Sequence, residues 1–108
     1  MSTDISLEVW SGPRGATAYA HSENWANLSV SIAKEAGCDL AAMDGRPAFD
    51  LIAPAVAAVQ ALTFDPARFE ALSVRAAGWD AIEQTREALV ALATEAETHQ
   101  FAVLRVES

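Results

Sequence analysis

The stretch LIAPAVAAVQAL, from Leu51 to Leu62, has one polar side chain, Gln60, among its residues. The larger apolar residues in and just before it recur at spacings of three and four: Phe49, Ile52, Val56, Val59 and Leu62. This spacing is the period of an α-helix, and a helix that is apolar on every side is normally buried on most of them. The stretch therefore predicts a helix around which the rest of the chain packs.

Pro54 leaves the start of this helix open. A proline inside a helix removes a backbone donor and crowds the preceding turn. If Asp50 is the N-cap, Pro54 lies in or just after the first turn and costs little. If the helix starts earlier, it must kink. A strand over Phe49–Ile52 is the competing interpretation.

On the N-terminal side, the chain changes from a strand pattern to a helix pattern. Apolar residues first alternate with polar ones, as in a strand with one apolar face: Ile5, Leu7 and Val9. A turn over 11–15 follows. From about Glu23 the spacing becomes helical, with Ser22 or Asn24 as the candidate N-cap and Gly37 as the end. One stripe of this helix holds four apolar residues: Trp25, Leu28, Ile32 and Ala36.

On the C-terminal side, Asp65-Pro66 has the form of a helix start, and Gly78 is its expected end. Asp80 and Glu83 have the spacing of a capping box at the start of a long helix that reaches about Thr98. Residues 101–106 are predicted to form the last strand. Together these elements predict an α+β fold that is mainly helical. About four helices are flanked by an N-terminal and a C-terminal strand that form a small sheet, in a single compact domain over residues 1–108.

Charge and composition limit the possible functions. The 108 residues carry a net charge of −8, which argues against direct binding to nucleic-acid phosphates. The longest apolar run is shorter than the roughly 18 residues of a membrane span. A single cysteine, Cys38, and a polar N-terminus without signal-peptide features indicate a cytoplasmic protein. Six Arg against one Lys, with abundant Ala, suggest a bacterial or phage genome.

The sequence contains no complete catalytic or metal-binding motif. His21-Ser-Glu23 has the His-x-Glu spacing of zinc deaminases, but a chain with one cysteine cannot supply the Cys-x-x-Cys that completes their metal site. We therefore expect no catalytic residue, no metal and no cofactor. Cys38 is expected to behave as a small buried hydrophobic residue, because its nearest charge is the carboxylate of Asp39.

The segment from Leu51 to Leu62 carries more apolar surface than a chain of 108 residues can readily bury. Residues 88–93 repeat its pattern for nearly two turns. We therefore expect a subunit interface, most simply a two-fold homodimer, with Ile52, Val56 and Val59 in the contact. Trp10, on the polar side of its strand, and Trp79, at a helix entrance, are further candidates for contact with a partner.

Three functions remain. The first is a non-enzymatic protein-binding accessory or inhibitory domain, such as an inhibitor, an antitoxin or immunity-type protein or a small regulatory subunit, whose acidic surface would steer a basic partner. The second is a small-molecule-binding domain or minor enzyme with a pocket near Arg14, His21 and Glu23. The third is an acidic mimic of nucleic acid.

Overall fold

A computed structural model describes residues 2–11, 16–73 and 80–108. Three strands, four α-helices and two short 3-10 helices, at Ala41–Met43 and Pro66–Phe69, make up this part of the chain. In chain order the strands and α-helices are β1 (Ser2–Ser11), β2 (Ala16–Ala26), α1 (Asn27–Glu35), α2 (Phe49–Phe64), α3 (Glu70–Ser73), α4 (Ala81–Thr98) and β3 (Val103–Glu107).

The strands form one antiparallel sheet in the order β2-β1-β3. Ile5 pairs with Glu23 on one side of β1 and with Val106 on the other. The register shifts by one residue between Leu7 and Glu8, where β2 carries a bulge. The predicted α+β class, with a small sheet and flanking helices, is confirmed, and the sheet has one strand more than the two that we expected.

The extra strand, β2, corrects the prediction of a helix from about Glu23. β2 continues to Ala26, which is also the N-cap of α1, so neither Ser22 nor Asn24 has that role. Trp25 is 3% exposed because it lies on the inner face of the strand opposite Thr3, and not on a helical stripe. Gly37, with φ +113°, follows the helix as expected, since this backbone conformation suits glycine.

Helix α2 starts at Phe49, so the strand interpretation of Phe49–Ile52 is wrong and Asp50 lies inside the first turn. Backbone hydrogen bonds explain the early start, because Phe49 N–H donates to Gln100 C=O (3.0 Å) and Ala48 N–H donates to Ala102 C=O (2.7 Å). Pro54 therefore lies inside the helix, where it cannot donate to the carbonyl of Asp50.

The C-terminal half follows the sequence patterns closely. Pro66 begins a 3-10 helix that leads into the short α3, and the expected end at Gly78 is outside the described residues. Asp80 is the N-cap of α4, because its Oδ1 accepts the N–H of Glu83 at 3.0 Å. None of the described helices is both long and apolar enough to cross a membrane.

The core lies between α2, α4 and the inner face of the sheet. Its largest fully buried side chains include Ile5 and Leu7 of β1, Leu51 of α2 and Leu89 and Leu92 of α4. Only one stripe of α2 is buried, formed by Leu51, Ala55, Ala58 and Leu62. The apolar segment that predicted this helix is thus buried on one side and leaves apolar residues on the other.

Candidate functional site

The outward side of α2 is mainly apolar and, beyond Asp50, uncharged. Its exposed residues are Phe49, Ala53, Val56, Ala57, Gln60, Thr63 and Phe64. Val56 is 43% exposed and Phe64 is 84% exposed. No ionisable residue occurs between Asp50 and Asp65. Exposure of large apolar side chains to water is unfavourable, and a run of such side chains on one helix is typical of an interaction surface.

This side of α2 continues onto α4. A groove of about 230 Å³ runs between the two helices, and we call it the α2–α4 groove. Its lining consists of Val56, Val59, Gln60, Val90, Ala93, Thr94 and Glu97. Val90 is 44% exposed, so both walls of the groove present valine side chains to solvent.

The structure places the predicted partner-binding residues in different surroundings. Val56 and Val59 come together in the α2–α4 groove. Ile52 is half-buried and packs against the core. Trp10 lies in β1 opposite Thr17, but its side chain is not among those that the structure describes. Trp79 lies outside the described residues altogether.

A polar cluster lies on the inner face of β2. His21, Glu23 and Trp25 alternate with the exposed residues Ser22 and Asn24. Because side chains two apart on a strand point to the same face, the three occupy the face that also carries the core residues of β1. The side chains of His21 and Glu23 are 21% and 17% exposed.

The polar atoms of this cluster are close but poorly satisfied. His21 Nε2 lies 3.1 Å from Glu23 Oε2, an ion-pair distance, but the two atoms do not form an aligned hydrogen bond. The indole N–H of Trp25 lies near enough to the Glu23 carboxyl to lower its pKa, but it too forms no aligned hydrogen bond. Burial raises the pKa of Glu23 above its ordinary value, although His21 and Trp25 oppose this shift, and the negative charge of Glu95 on α4 adds to it.

A cleft of about 310 Å³ opens beside the cluster. It lies between the end of β2, the first turn of α1 and α4. Its lining consists of Glu23, Asn24, Trp25, Ala26, Ser29, Gln84 and Ala88. We call it the Glu23 cleft. Of the predicted small-molecule contacts, Glu23 lines the cleft and His21 lies against Glu23, whereas Arg14 is outside the described residues.

Two further features concern reactive groups. Cys38 is fully buried, and this burial raises the pKa of its thiol to about 12. The prediction that Cys38 is a small buried residue is therefore confirmed. Over residues 2–11, 16–73 and 80–108, the structure has no group of three His, Cys, Asp or Glu side chains that is arranged to hold a metal ion.

Sequence reasoning missed Trp25 and Gln84 as neighbours of Glu23. Hydrophobic alternation identifies a strand only when one face is apolar. Here the inner face of β2 includes His21 and Glu23, so the period-two signal is absent. Alternation in side-chain size, large at 21, 23 and 25 and small at 22, 24 and 26, is the signal that would have indicated the strand.

We expect Glu23→Gln to raise the melting temperature at pH 7. A carboxyl whose pKa is raised on folding stabilises the protein below its unfolded pKa, and this stability is lost as pH rises through the folded pKa. At pH 7 the folded chain therefore bears the cost of an ionised Glu23, which glutamine removes. Thermal unfolding at pH 4 and pH 7 checks this: the difference between variant and parent is expected to be larger at pH 7. A lower melting temperature for the variant at pH 7 would instead mean that the ionised pair with His21 stabilises the fold.

Comparisons with models of protein families, with curated proteins and with solved structures give no match to this chain.

Proposed function

We propose that this chain is a non-enzymatic protein-binding domain that acts as a homodimer, with the α2–α4 groove and the outward side of α2 as the interface. One observation carries the proposal: from Leu51 to Phe64 the outward side of α2 carries no charge and is mainly apolar. In a folded protein that acts alone, exposed large apolar residues normally occur singly and not along an entire helix.

The charge distribution favours a second copy as the occupant of this surface. A basic partner would be held by carboxylates, but α2 has none between Asp50 and Asp65. Two chains of net charge −8 repel each other least where few charges meet, and Glu97 is the one ionisable residue in the lining of the α2–α4 groove. A two-fold interface brings the same patch of both copies together, and an apolar patch is complementary to itself.

The acidic surface remains free in such a dimer and supports an accessory or inhibitory role toward a basic protein. Arginines lie against three of the acidic side chains: Arg46 against Asp50, Arg105 against Glu8 and Arg86 against Glu83. These pairs mix the two signs of charge, so a nucleic-acid mimic is less well supported. We also propose a cytoplasmic location, because Cys38 is a buried free thiol, as expected in a reducing compartment.

Chemical cross-linking tests the placement of the interface. Val56→Cys adds one exposed thiol at the α2–α4 groove, while the buried Cys38 stays protected. A short bismaleimide is expected to convert most of this variant into a covalent dimer, because two-fold packing brings both copies of residue 56 near the axis. Denaturing electrophoresis measures the dimer fraction.

Tyr19→Cys is the matched control, because Tyr19 is 67% exposed but lies on the edge strand β2. It is expected to cross-link no more than the parent chain, whose one thiol is Cys38. Efficient cross-linking through residue 19, with little through residue 56, would place the contact at the sheet edge and contradict the proposal.

A further inference from the structure

The exposed stripe of α2 has the spacing of a seam between two packed helices. Its members follow one another at alternating steps of four and three residues: Phe49, Ala53, Val56, Gln60 and Thr63. Side chains at such steps fit between those of a neighbouring helix, as in a coiled coil. All of them are exposed, so no helix of the described chain covers the stripe. The spacing therefore points to a helix from another molecule.

Bulky residues stand at the two ends of α2, and small ones lie between them. Phe49 opens the helix and is 61% exposed, and Phe64 closes it and is 84% exposed. At about 1.5 Å per residue, the two lie roughly 22 Å apart along the helix. Ala53 and Ala57 come between them. Two such helices can approach closely at their middle, because the distance between packed helices depends on the side chains at the contact.

A third exposed aromatic side chain lies beside the start of α2. Phe101, in the turn between α4 and β3, is 95% exposed. A backbone hydrogen bond holds this turn against the helix, because Phe49 N–H donates to Gln100 C=O at 3.0 Å. Phe49 and Phe101 thus share one end of α2, while Phe64 is at the other end.

The two ends of α2 also differ in charge. Arg46 precedes the helix and lies against Asp50 in its first turn, whereas Asp65 follows the last residue of the helix. The helix dipole adds to this difference, since it is positive at the start of a helix and negative at its end. Parallel helices would bring the two Asp65 carboxylates to the same level. Antiparallel helices bring each Asp65 toward the positive end of the other copy, so charge favours the antiparallel arrangement.

From this pattern we infer that the two copies meet with their α2 helices antiparallel, so that Phe64 of each copy packs against Phe49 and Phe101 of the other. The two-fold axis then passes beside Val56 and Ala57, at the middle of the helix. Aromatic side chains that meet in pairs contribute more than their buried area alone. The inference rests on the homodimer proposed above and adds Phe101, from outside α2, to its interface.

Disulfide formation between two single-cysteine variants tests the orientation. Ala53→Cys and Gln60→Cys change exposed residues of the stripe and keep all three phenylalanines, while the buried Cys38 stays protected. Antiparallel helices place residue 53 of one copy level with residue 60 of the other. The two copies of residue 53 are then about 10 Å apart along the helices. A disulfide allows at most roughly 7 Å between Cα atoms.

On oxidation, an equimolar mixture of the two variants is expected to give at least about five times as much covalent dimer as either variant alone. Non-reducing denaturing electrophoresis measures the yield. If Ala53→Cys alone cross-links as well as the mixture, the helices are not antiparallel. If the mixture gives no dimer while Val56→Cys still does with the bismaleimide, the orientation is wrong but the homodimer stands. Failure of Val56→Cys as well would refute the homodimer and the inference with it.

Substitution of Phe101 tests the aromatic contact. Phe101→Ala is expected to raise the dissociation constant of the homodimer at least about tenfold. Tyr19→Ala removes an exposed aromatic ring from β2 and is expected to leave the constant within about twofold of the parent. Adding Phe64→Ala to Phe101→Ala is expected to weaken the dimer by less than the product of the single effects, because the two rings contact each other. An unchanged constant in Phe101→Ala, or independent effects in the double variant, would overturn this contact. Sedimentation velocity measures each constant.

Discussion

Val56→Glu is expected to raise the dissociation constant of the homodimer at least about 100-fold, equal to about 2.8 kcal/mol. The symmetry of the interface doubles the change, because each dimer receives two carboxylates close to the axis. Both would lose hydration and repel each other, and like charges brought together at an interface cost several kcal/mol. Sedimentation velocity over a dilution series measures the shift from dimer to monomer.

The fold of this variant is expected to survive. Val56 is 43% exposed on α2, and glutamate has a higher helix propensity than valine. Circular dichroism and the melting temperature of the monomeric variant check this point. Tyr19→Glu introduces the same charge at an exposed residue of β2 and is expected to leave the dissociation constant within about twofold of the parent. A dimer that tolerates Val56→Glu but is broken by Tyr19→Glu would contradict the proposed interface.

Leu89→Ala is expected to lower the free energy of unfolding by about 2–5 kcal/mol. Leu89 is fully buried on α4 within the core. Its truncation removes apolar contacts and leaves a cavity that the surrounding helices fill only in part. Because a domain of this size is stable by roughly 5–15 kcal/mol, the loss is a large share of the total. Urea unfolding at one fixed protein concentration measures it, since dimerisation makes stability depend on concentration.

Glu87→Ala is the control on the same helix. Glu87 is exposed on α4, two residues before Leu89, and its replacement is expected to change the free energy of unfolding by less than about 0.5 kcal/mol. If Leu89→Ala unfolded at the same urea concentration as this control, the description of the core between α2 and α4 would be wrong.

Local signals explain which parts of the fold were predictable. The alternation around Ile5 and Leu7 marks β1, and the capping pair of Asp80 and Glu83 marks the start of α4. Each of these depends on residues close together in the chain. β2 is stabilised by its pairing with β1, which lies outside any local window of sequence. Its inner face carries ionisable residues, so its second half has no apolar alternation and was predicted to be a helix.

Helix α2 shows the same limit at its start. Asp50 is a reasonable N-cap from local chemistry. The observed start at Phe49 is set by hydrogen bonds to Gln100 and Ala102, about fifty residues away in the chain. Such long-range contacts are absent from any short window of sequence.

The residues of the candidate sites also differ in whether the sequence could identify them. The apolar excess of α2 is a property of composition, so Val56 and Val59 could be named in advance. His21 and Glu23 were also named, because their spacing is visible in the sequence. The other residues of the cleft come from three different elements, β2, α1 and α4: Trp25, Ser29 and Gln84. Their proximity depends on how these elements pack, which no local sequence pattern shows.

The mass of the unaltered chain in solution decides whether it forms the proposed homodimer. Sedimentation equilibrium over a range of loading concentrations is expected to give a particle of twice the 11.4 kDa chain mass, with dissociation toward the single chain on dilution. A mass of one chain at every concentration, up to the limit of solubility, would contradict the homodimer and leave the apolar side of α2 without its proposed partner.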